Sequence, residues 1–307
     1  AVSASLKCPI SSVFMASTGV IGEKLNYKKI ITKIPKMSEN LKEGNWNKAA
    51  TAITTTDTFP KGASEVALIR NKKIQITGIA KGSGMIAPDM ATMLSFIFTD
   101  ANIPSNILQT LLSRNVQNTF NAITVDSDAS TSDTVLLFAT GAAKSIAPTS
   151  ADDPVLKDFE LALQSVMLNL AKQIVCDGEG AQKLIQVNIT GANSKKSARK
   201  IGLAIANSPL VKTAIAGGDA NWGRVVMAVG KSGEKANSNS ISVCFGKTTI
   251  AEKGAVVEGY DEAPVAEHLQ GREIHITVDV GLGNGKSTVW TCDLTHGYIE
   301  INADYRS

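Results

Sequence analysis

Helix-type and strand-type hydrophobic patterns alternate along the 307-residue chain, and this interleaving limits the possible folds. From about 154 to 175, apolar side chains recur every three or four residues, which predicts a long amphipathic helix. Asp153 and Pro154 suit the start of that helix, and Gly178 lies just beyond its end. In 274–280 apolar and polar residues alternate instead, which predicts a strand with one buried face. We therefore expect an α/β or α+β architecture.

The same patterns predict further elements. Helical spacing also runs from Ile107 to Phe120 and from Ala198 to Ala216, where Pro209 should kink or split the helix. Strands are expected near Leu184–Ile189, Val225–Val229, Ser240–Phe245, Ile274–Val280 and Thr288–Leu294. The last two should pair as a hairpin. The shift towards strands after about 185 indicates a second, smaller lobe.

Composition and charge exclude several classes of protein. Hydrophobic residues make up 43% of the chain and charged residues 19%, which is typical of a globular protein. A net charge of +3 does not by itself indicate a nucleic-acid or membrane surface. The four cysteines form no Cys-x-x-Cys pair, which argues against a zinc ribbon or a dense disulfide framework. This cysteine pattern makes a reducing, cytoplasmic compartment the simplest interpretation, and the sequence shows no credible signal peptide or membrane span.

Several short motifs resemble binding sites but fit them poorly. The run 281–287 resembles a phosphate loop, yet its first position is Val280 and it joins two strands, so a hairpin turn fits better. Asp126, Asp128 and Asp133 resemble a calcium loop that lacks its glycine and its glutamate, so an Asx-rich turn fits better. The three histidines have no metal-site spacing, and the basic run 195–200 is typical of a solvated helix start.

The scarcity of histidine leaves a hydrolytic triad without its usual base. The glycine-rich segment 81–94 offers another arrangement, because Thr92 follows the small residue Ala91 at the head of an apolar run. If the chain were cut before Thr92, its hydroxyl would lie beside its own α-amine, a base with a pKa of about 8. A glycine-rich loop that leads into a buried strand is the plain alternative. The segment alone leaves both interpretations open.

Further motifs accompany this segment in order along the chain: Ser17–Gly22, Thr54–Thr58, Asp177–Ala181, Gly218–Arg224 and Asn302–Ser307. Together with Lys81–Leu94 they resemble the ornithine acetyltransferase family of arginine biosynthesis, also called glutamate N-acetyltransferase. The resemblance runs from the first residues to the last.

The resemblance implies a nucleophile and an oxyanion hole. Thr92 matches the nucleophile that self-cleavage after Ala91 frees. It would take the acetyl group of N-acetylornithine as an ester and pass it to glutamate, in a ping-pong mechanism. Thr18 and Gly19 match the oxyanion-hole pair. Taken singly, Thr18 would be read as an ordinary turn residue.

The resemblance also implies substrate-binding residues. Thr55 matches a substrate-contacting threonine, although its neighbours in the triple-threonine run leave this uncertain by one residue. Lys81 suits the α-carboxylate of the substrate, and Glu179 suits the ornithine amine. Asn302 and Ser307 match the C-terminal pair that closes the site. Outside the family pattern, Lys81 and Glu179 would be taken as surface charges.

The fold implied is an αββα sandwich, like that of N-terminal-nucleophile hydrolases, with a smaller α+β C-terminal lobe from about 185. Residues 1–91 would form an α chain and residues 92–307 a β chain, assembled as a dimer of heterodimers. The resemblance implies no metal or prosthetic group, and it leaves acetyl-CoA open as a co-substrate.

Two departures from the family stand out. Only seventeen residues precede Thr18, so this chain looks N-terminally truncated, which puts folding and self-cleavage of the piece in question. Ser127 and Ser132 stand where glycine and asparagine are expected, a change that should alter a turn but not the chemistry. Two other functions remain open: an amidase or aminopeptidase with an N-terminal nucleophile, and a non-catalytic scaffold that keeps the fold.

Overall fold

Two β-sheets organise the chain. The computed structural model describes residues 1–87 and 93–304. In this part of the chain the first sheet has the order β1-β2-β3-β4, with β1 at Lys61–Ile69, β2 at Lys72–Lys81, β3 at Leu94–Thr99 and β4 at Thr134–Ala139. The second has the order β10-β5-β9-β6-β7-β8, with β5 at Leu184–Ala192, β6 at Ser242–Phe245, β7 at Thr248–Glu252, β8 at Ala255–Val256, β9 at Glu273–Asp279 and β10 at Gly285–Cys292.

Helices connect and cover the strands. Those of the N-terminal part are short: α1 (Val2–Leu6), α2 (Tyr27–Ile31), α3 (Ile34–Glu39) and α4 (Trp46–Ala52). Then follow α5 (Ser105–Val116), α6 (Lys157–Cys176), α7 (Lys195–Ala206), α8 (Pro209–Ala216), α9 (Trp222–Gly230), α10 (Ala263–Gln270) and α11 (His296–Asp304). Among the described residues, no helix is both long and apolar enough to span a lipid bilayer.

The core lies between these sheets and two helices. Helix α6 packs on β1 and β2, and α7 packs on β5 and β10. Gly78 in β2 allows the close approach of α6, because a Cβ there would lie 2.8 Å from Cδ1 of Leu170. The buried face of α6 has the expected helical spacing: Phe159, Leu163, Val166, Met167, Leu170, Ala171, Ile174 and Val175. The expected α/β sandwich is confirmed.

The first sheet brings together the two sides of the segment 88–92. Strand β2 pairs antiparallel with β1 and with β3, and Lys81 at the end of β2 lies opposite Leu94 at the start of β3. Strand β4 runs parallel to β3, with Thr134 opposite Leu94. Residues 88–92, which include Ala91 and Thr92, lie outside the described residues.

The long helix and its start are confirmed. Asp153 accepts a hydrogen bond from the Val155 backbone N–H, Pro154 opens a short 3₁₀ turn, and α6 continues to Cys176. Helix α5 is confirmed over most of its expected range, although Phe120 lies in a separate 3₁₀ turn. The expected break at Pro209 is confirmed as well, because α7 ends before it and α8 begins there.

The expected strand at Val225–Val229 is wrong, because these residues belong to α9. The Asn221 side chain accepts the Arg224 backbone N–H and so caps the start of this helix. Val225, Ala228 and Val229 are buried at helical spacing. A short apolar run fits either element, and the cap decides in favour of the helix.

The expected hairpin of the last two strands is also wrong. Strand β5 lies between β9 and β10, parallel to the first and antiparallel to the second. The connection therefore passes over the end of β5, where the N–H groups of Leu282 and Gly283 both donate to the carbonyl of Gly191. Each of the two strands pairs with β5 and not with the other.

Candidate active site

Lys81 lies at the end of β2 and is almost fully buried, with 3% of its surface exposed. Burial lowers its pKa, because the charged ammonium loses water. The carboxylates of Asp57 and Asp133 raise the pKa, whereas the ammonium of Lys61 lowers it further. Lys81 is therefore a buried lysine whose charge interacts with two carboxylates and a second lysine.

A buried ion cluster fixes the segment before β1 against the end of α6. The Nζ atom of Lys61, whose side chain is fully buried, lies 2.7 Å from Oδ1 of Asp57 and 2.5 Å from Oδ2 of Asp177. Burial acts to raise the pKa of Asp57, but hydrogen bonds from the Gly82 backbone N–H and Lys61 outweigh it and lower the pKa. The two carboxylates thus lie on either side of one buried ammonium.

The threonine run is attached to this cluster. The Thr55 backbone N–H donates to Oδ2 of Asp57 at 3.1 Å, and Thr55 itself is exposed. The hydroxyl oxygens of Thr56 and Ser83 are 2.6 Å apart. Thr58 donates both its backbone N–H and its hydroxyl to Asp177. These bonds place the run beside the glycine-rich segment that follows β2.

Glu179 packs directly on that segment. The Glu179 backbone N–H donates to the Ser83 carbonyl at 3.1 Å, and its carboxylate lies over Gly84. A Cβ at Gly84 would lie 2.5 Å from Cδ of Glu179, so the carboxylate in this position fills the space that a side chain at residue 84 would need. The Nδ2 atom of Asn302, on α11, donates to Oε2 of Glu179 at 2.8 Å. Helix α11 is thereby attached to the site.

The loop 125–134 contacts the chain on both sides of residues 88–92. On the first side, the Ile86 backbone N–H donates to Oδ1 of Asp126 at 3.0 Å, and the Val125 N–H donates to the Ile86 carbonyl at 2.7 Å. On the second side, the Met93 N–H donates to Oδ1 of Asp133 at 2.7 Å, and the Thr134 N–H donates to the Met93 carbonyl at 3.0 Å.

Some of the residues singled out in the sequence come together, and others do not. Lys81 begins the glycine-rich segment, Glu179 packs on its Gly84, and Asn302 donates to Glu179. Thr55 reaches the segment through Asp57, which accepts hydrogen bonds from the N–H groups of Thr55 and Gly82. The hydrogen bonds among described residues do not link Thr18 or Gly19 to them. Thr18 is half-buried, and Gly19 is exposed in an irregular stretch. The remaining candidates, Ala91, Thr92 and Ser307, lie outside the described residues.

Sequence reasoning missed the role of the buried aspartates. Asp57 and Asp177 stood inside quoted motifs, but no local pattern shows that one lysine joins them across the fold. The Asx-rich turn is confirmed, since the Asp128 N–H donates to Oδ1 of Asp126. What the sequence did not reveal is that Asp126 and Asp133 hold distant backbone N–H groups.

Ser127 adopts a φ of 67°, the left-handed region that glycine enters most easily. Serine at this position therefore carries a backbone strain that the glycine expected from the family would avoid.

The motif 218–224 makes contacts within the helical part of the fold. Asn221 caps α9, and Nη1 of Arg224 donates to the Leu210 carbonyl at 2.8 Å. Within the described ranges no group of three or more His, Cys, Asp or Glu side chains is placed to hold a metal ion.

Comparisons with known proteins agree with this arrangement. The ArgJ family profile matches residues 1–307. The "Arginine biosynthesis bifunctional protein ArgJ" of Gluconobacter oxydans is 58% identical over 302 residues, which cover 98% of this chain and 71% of that protein. The protein of the same name from Brucella suis is 54% identical over 310 residues, covering 100% of this chain and 75% of that protein.

A solved structure is also similar. The crystal structure of the arginine biosynthesis bifunctional protein ArgJ from Bacillus halodurans superposes with a TM-score of 0.65 and 42% identity. The match covers 67% of this chain and 96% of the solved chain.

The chain has an α/β sandwich fold, these relatives, and opposite charges close to residues 81–84. Together these features identify an acetyltransferase of arginine biosynthesis. The chain belongs to the ArgJ family.

Proposed function

We propose that the chain cuts itself between Ala91 and Thr92, and that Thr92 then carries the acetyl group from N-acetylornithine to glutamate. The Thr92 hydroxyl oxygen attacks the acetyl carbonyl, its proton passes to the Thr92 α-amine, and the Cα amine of ornithine leaves with a proton. The amine of glutamate then attacks the acetyl ester and restores the hydroxyl. Thr18 and Gly19 stabilise the oxyanion in this proposal.

The observation that carries the proposal is the pair of opposite charges beside the glycine-rich segment. Lys81 is buried at one end of residues 81–84, and the carboxylate of Glu179 lies over Gly84 at the other. Ornithine and its acetylated form carry an α-carboxylate and a side-chain ammonium, which such a pair can bind together. Thr55, Asn302 and Ser307 complete the proposed set of substrate-binding residues.

The intact mass under denaturing conditions tests the proposal: two fragments that meet at Ala91 and Thr92 support it. A single uncut chain of 32.3 kDa contradicts it.

Replacing Lys81 with alanine is expected to raise KM for N-acetylornithine by about tenfold or more, because one charge-assisted contact is lost. The effect on kcat should be smaller. Steady-state kinetics measure both. Lys73→Ala is the matched control, since Lys73 lies on the same strand and is exposed. An unchanged KM in Lys81→Ala would remove this lysine from the proposed substrate site.

The proposed function also includes an assembly of the two fragments and a second acetyl donor. The two fragments stay together as a dimer of heterodimers in the cytoplasm, without a resident metal or prosthetic group. Acetyl-CoA serves as a second donor, and the word "bifunctional" in the relatives' name supports this. Product analysis separates the transferase from an amidase, because the first makes N-acetylglutamate and the second releases acetate to water.

A further inference from the structure

The loop 125–134 holds the residues before and after the proposed cleavage segment in the same way. On each side an aspartate carboxylate accepts a backbone N–H, and the loop backbone donates to the carbonyl of the same residue. Ile86 is held so by Asp126 and Val125, and Met93 by Asp133 and Thr134. The backbone N–H and carbonyl of Met93, the residue after Thr92, are therefore both held by this loop.

We propose that Asp133 is a positioning residue for self-cleavage, because its carboxylate holds the backbone N–H of Met93, the residue that follows the nucleophile. This inference rests on the proposed function. The Met93 nitrogen is bonded to the carbonyl carbon of Thr92, so the hydrogen bond of 2.7 Å holds the described backbone atom that directly follows the proposed nucleophile. Holding the residue next to the nucleophile limits the conformations open to the cleavage segment, and restricted freedom of this kind raises the rate of an intramolecular reaction.

The charge of Asp133 matters to this role. Burial raises its pKa to about 7, against the lowering effects of the Met93 N–H and the Lys81 ammonium. Among the described residues, the groups that act on it are the Lys81 ammonium at the end of β2 and the N–H of Met93, the residue just before β3. Above this pH the ionised carboxylate accepts a strong, charge-assisted bond, and below it the bond weakens. Cleavage should accordingly slow as the pH falls through 7.

In the proposed self-cleavage, Asp133 neither gains nor loses a proton overall. The Thr92 hydroxyl oxygen forms a bond to the Ala91 carbonyl carbon, and the bond from that carbon to the Thr92 nitrogen breaks. The hydroxyl proton ends on this nitrogen, which becomes the free amine. Water then hydrolyses the ester, which leaves a carboxylate on Ala91 and restores the hydroxyl.

To test this, newly synthesised, uncut chain is transferred to buffers from pH 5.5 to 8.5. The rate of cleavage is then measured from the appearance of the two fragments. The wild-type rate should rise with an apparent pKa near 7. Asp133→Asn should cut at least about tenfold more slowly and lose this inflection, because its side chain does not titrate. Asp128→Asn is the matched control, an exposed aspartate in the same loop, and should cut like the wild type.

The possible results distinguish failure of the proposed function from failure of the role of Asp133. A wild-type chain that is never cut refutes the proposed function, and this inference with it. A wild-type chain that is cut, together with an Asp133→Asn chain cut at the same rate and with the same pH profile, refutes only the role of Asp133. Should the variant fail to fold, the wild-type profile still decides, since a rate without an inflection between pH 6 and 8 overturns the inference.

Discussion

Thr92→Ala is expected to leave the chain uncut and to lower acetyl transfer by about a thousandfold or more, because the hydroxyl serves both reactions in the proposed mechanism. Denaturing mass spectrometry should show one chain where the wild type shows two. Formation of N-acetylglutamate from N-acetylornithine should fall to background in the same preparation. A variant that still turns over would exclude Thr92 as the nucleophile.

Two further variants make this result specific. Thr92→Ser keeps a hydroxyl and should retain partial cleavage and transfer. Thr110→Ala removes an exposed hydroxyl that bonds only within α5, to the Asn106 carbonyl, and should behave as the wild type. Loss of activity in Thr110→Ala would show that the assay responds to general damage.

Lys61→Met is expected to destabilise the folded chain by about 3–5 kcal/mol, because it leaves two buried carboxylates without their shared cation. In the wild type, the fully buried Lys61 ammonium lies between Asp57 and Asp177. Without it these carboxylates repel each other in a medium of low polarity. The midpoint of urea unfolding measures the change, followed by the fluorescence of the tryptophans.

Lys200→Met is the matched control for this variant. The Lys200 side chain pairs with Glu234 at 2.8 Å but is 55% exposed, so its removal should cost less than about 1 kcal/mol. Equal losses in the two variants would mean that the buried cluster contributes no more than a surface pair. We expect the difference to be large, since only Lys61 is shielded from water.

Local signals predicted single elements well where they agreed with one another. Helix α6 carried a helical repeat, a capping aspartate and a proline at its start, and all three are present in the structure. Residues 225–229 carried only a short apolar run, which fits a strand as well as a helix. The Asn221 cap four residues earlier was the signal that could have identified α9.

Strand order could not be predicted from local pattern. Strands β9 and β10 follow each other in the sequence, as hairpin strands do, yet β5 pairs with both. The pairing of β5 with these strands joins residues almost a hundred positions apart in the sequence. The turn between β9 and β10 contains no pattern that would predict it. Charged residues of the site were found through several motifs taken together, whereas the contact of Asp57 and Asp177 with Lys61 needed the fold.

The first sheet is built from both sides of the proposed cut, and this changes the order of the folding reaction. Strands β1 and β2 precede Thr92, β3 and β4 follow it, and β2 and β3 pair along six positions. An uncut chain refolds by a first-order reaction. Once cut, the same sheet must form between two molecules, so refolding becomes second-order and its yield depends on protein concentration. Cleavage would thus turn an intramolecular fold into an assembly held by one pair of strands and the packing around it.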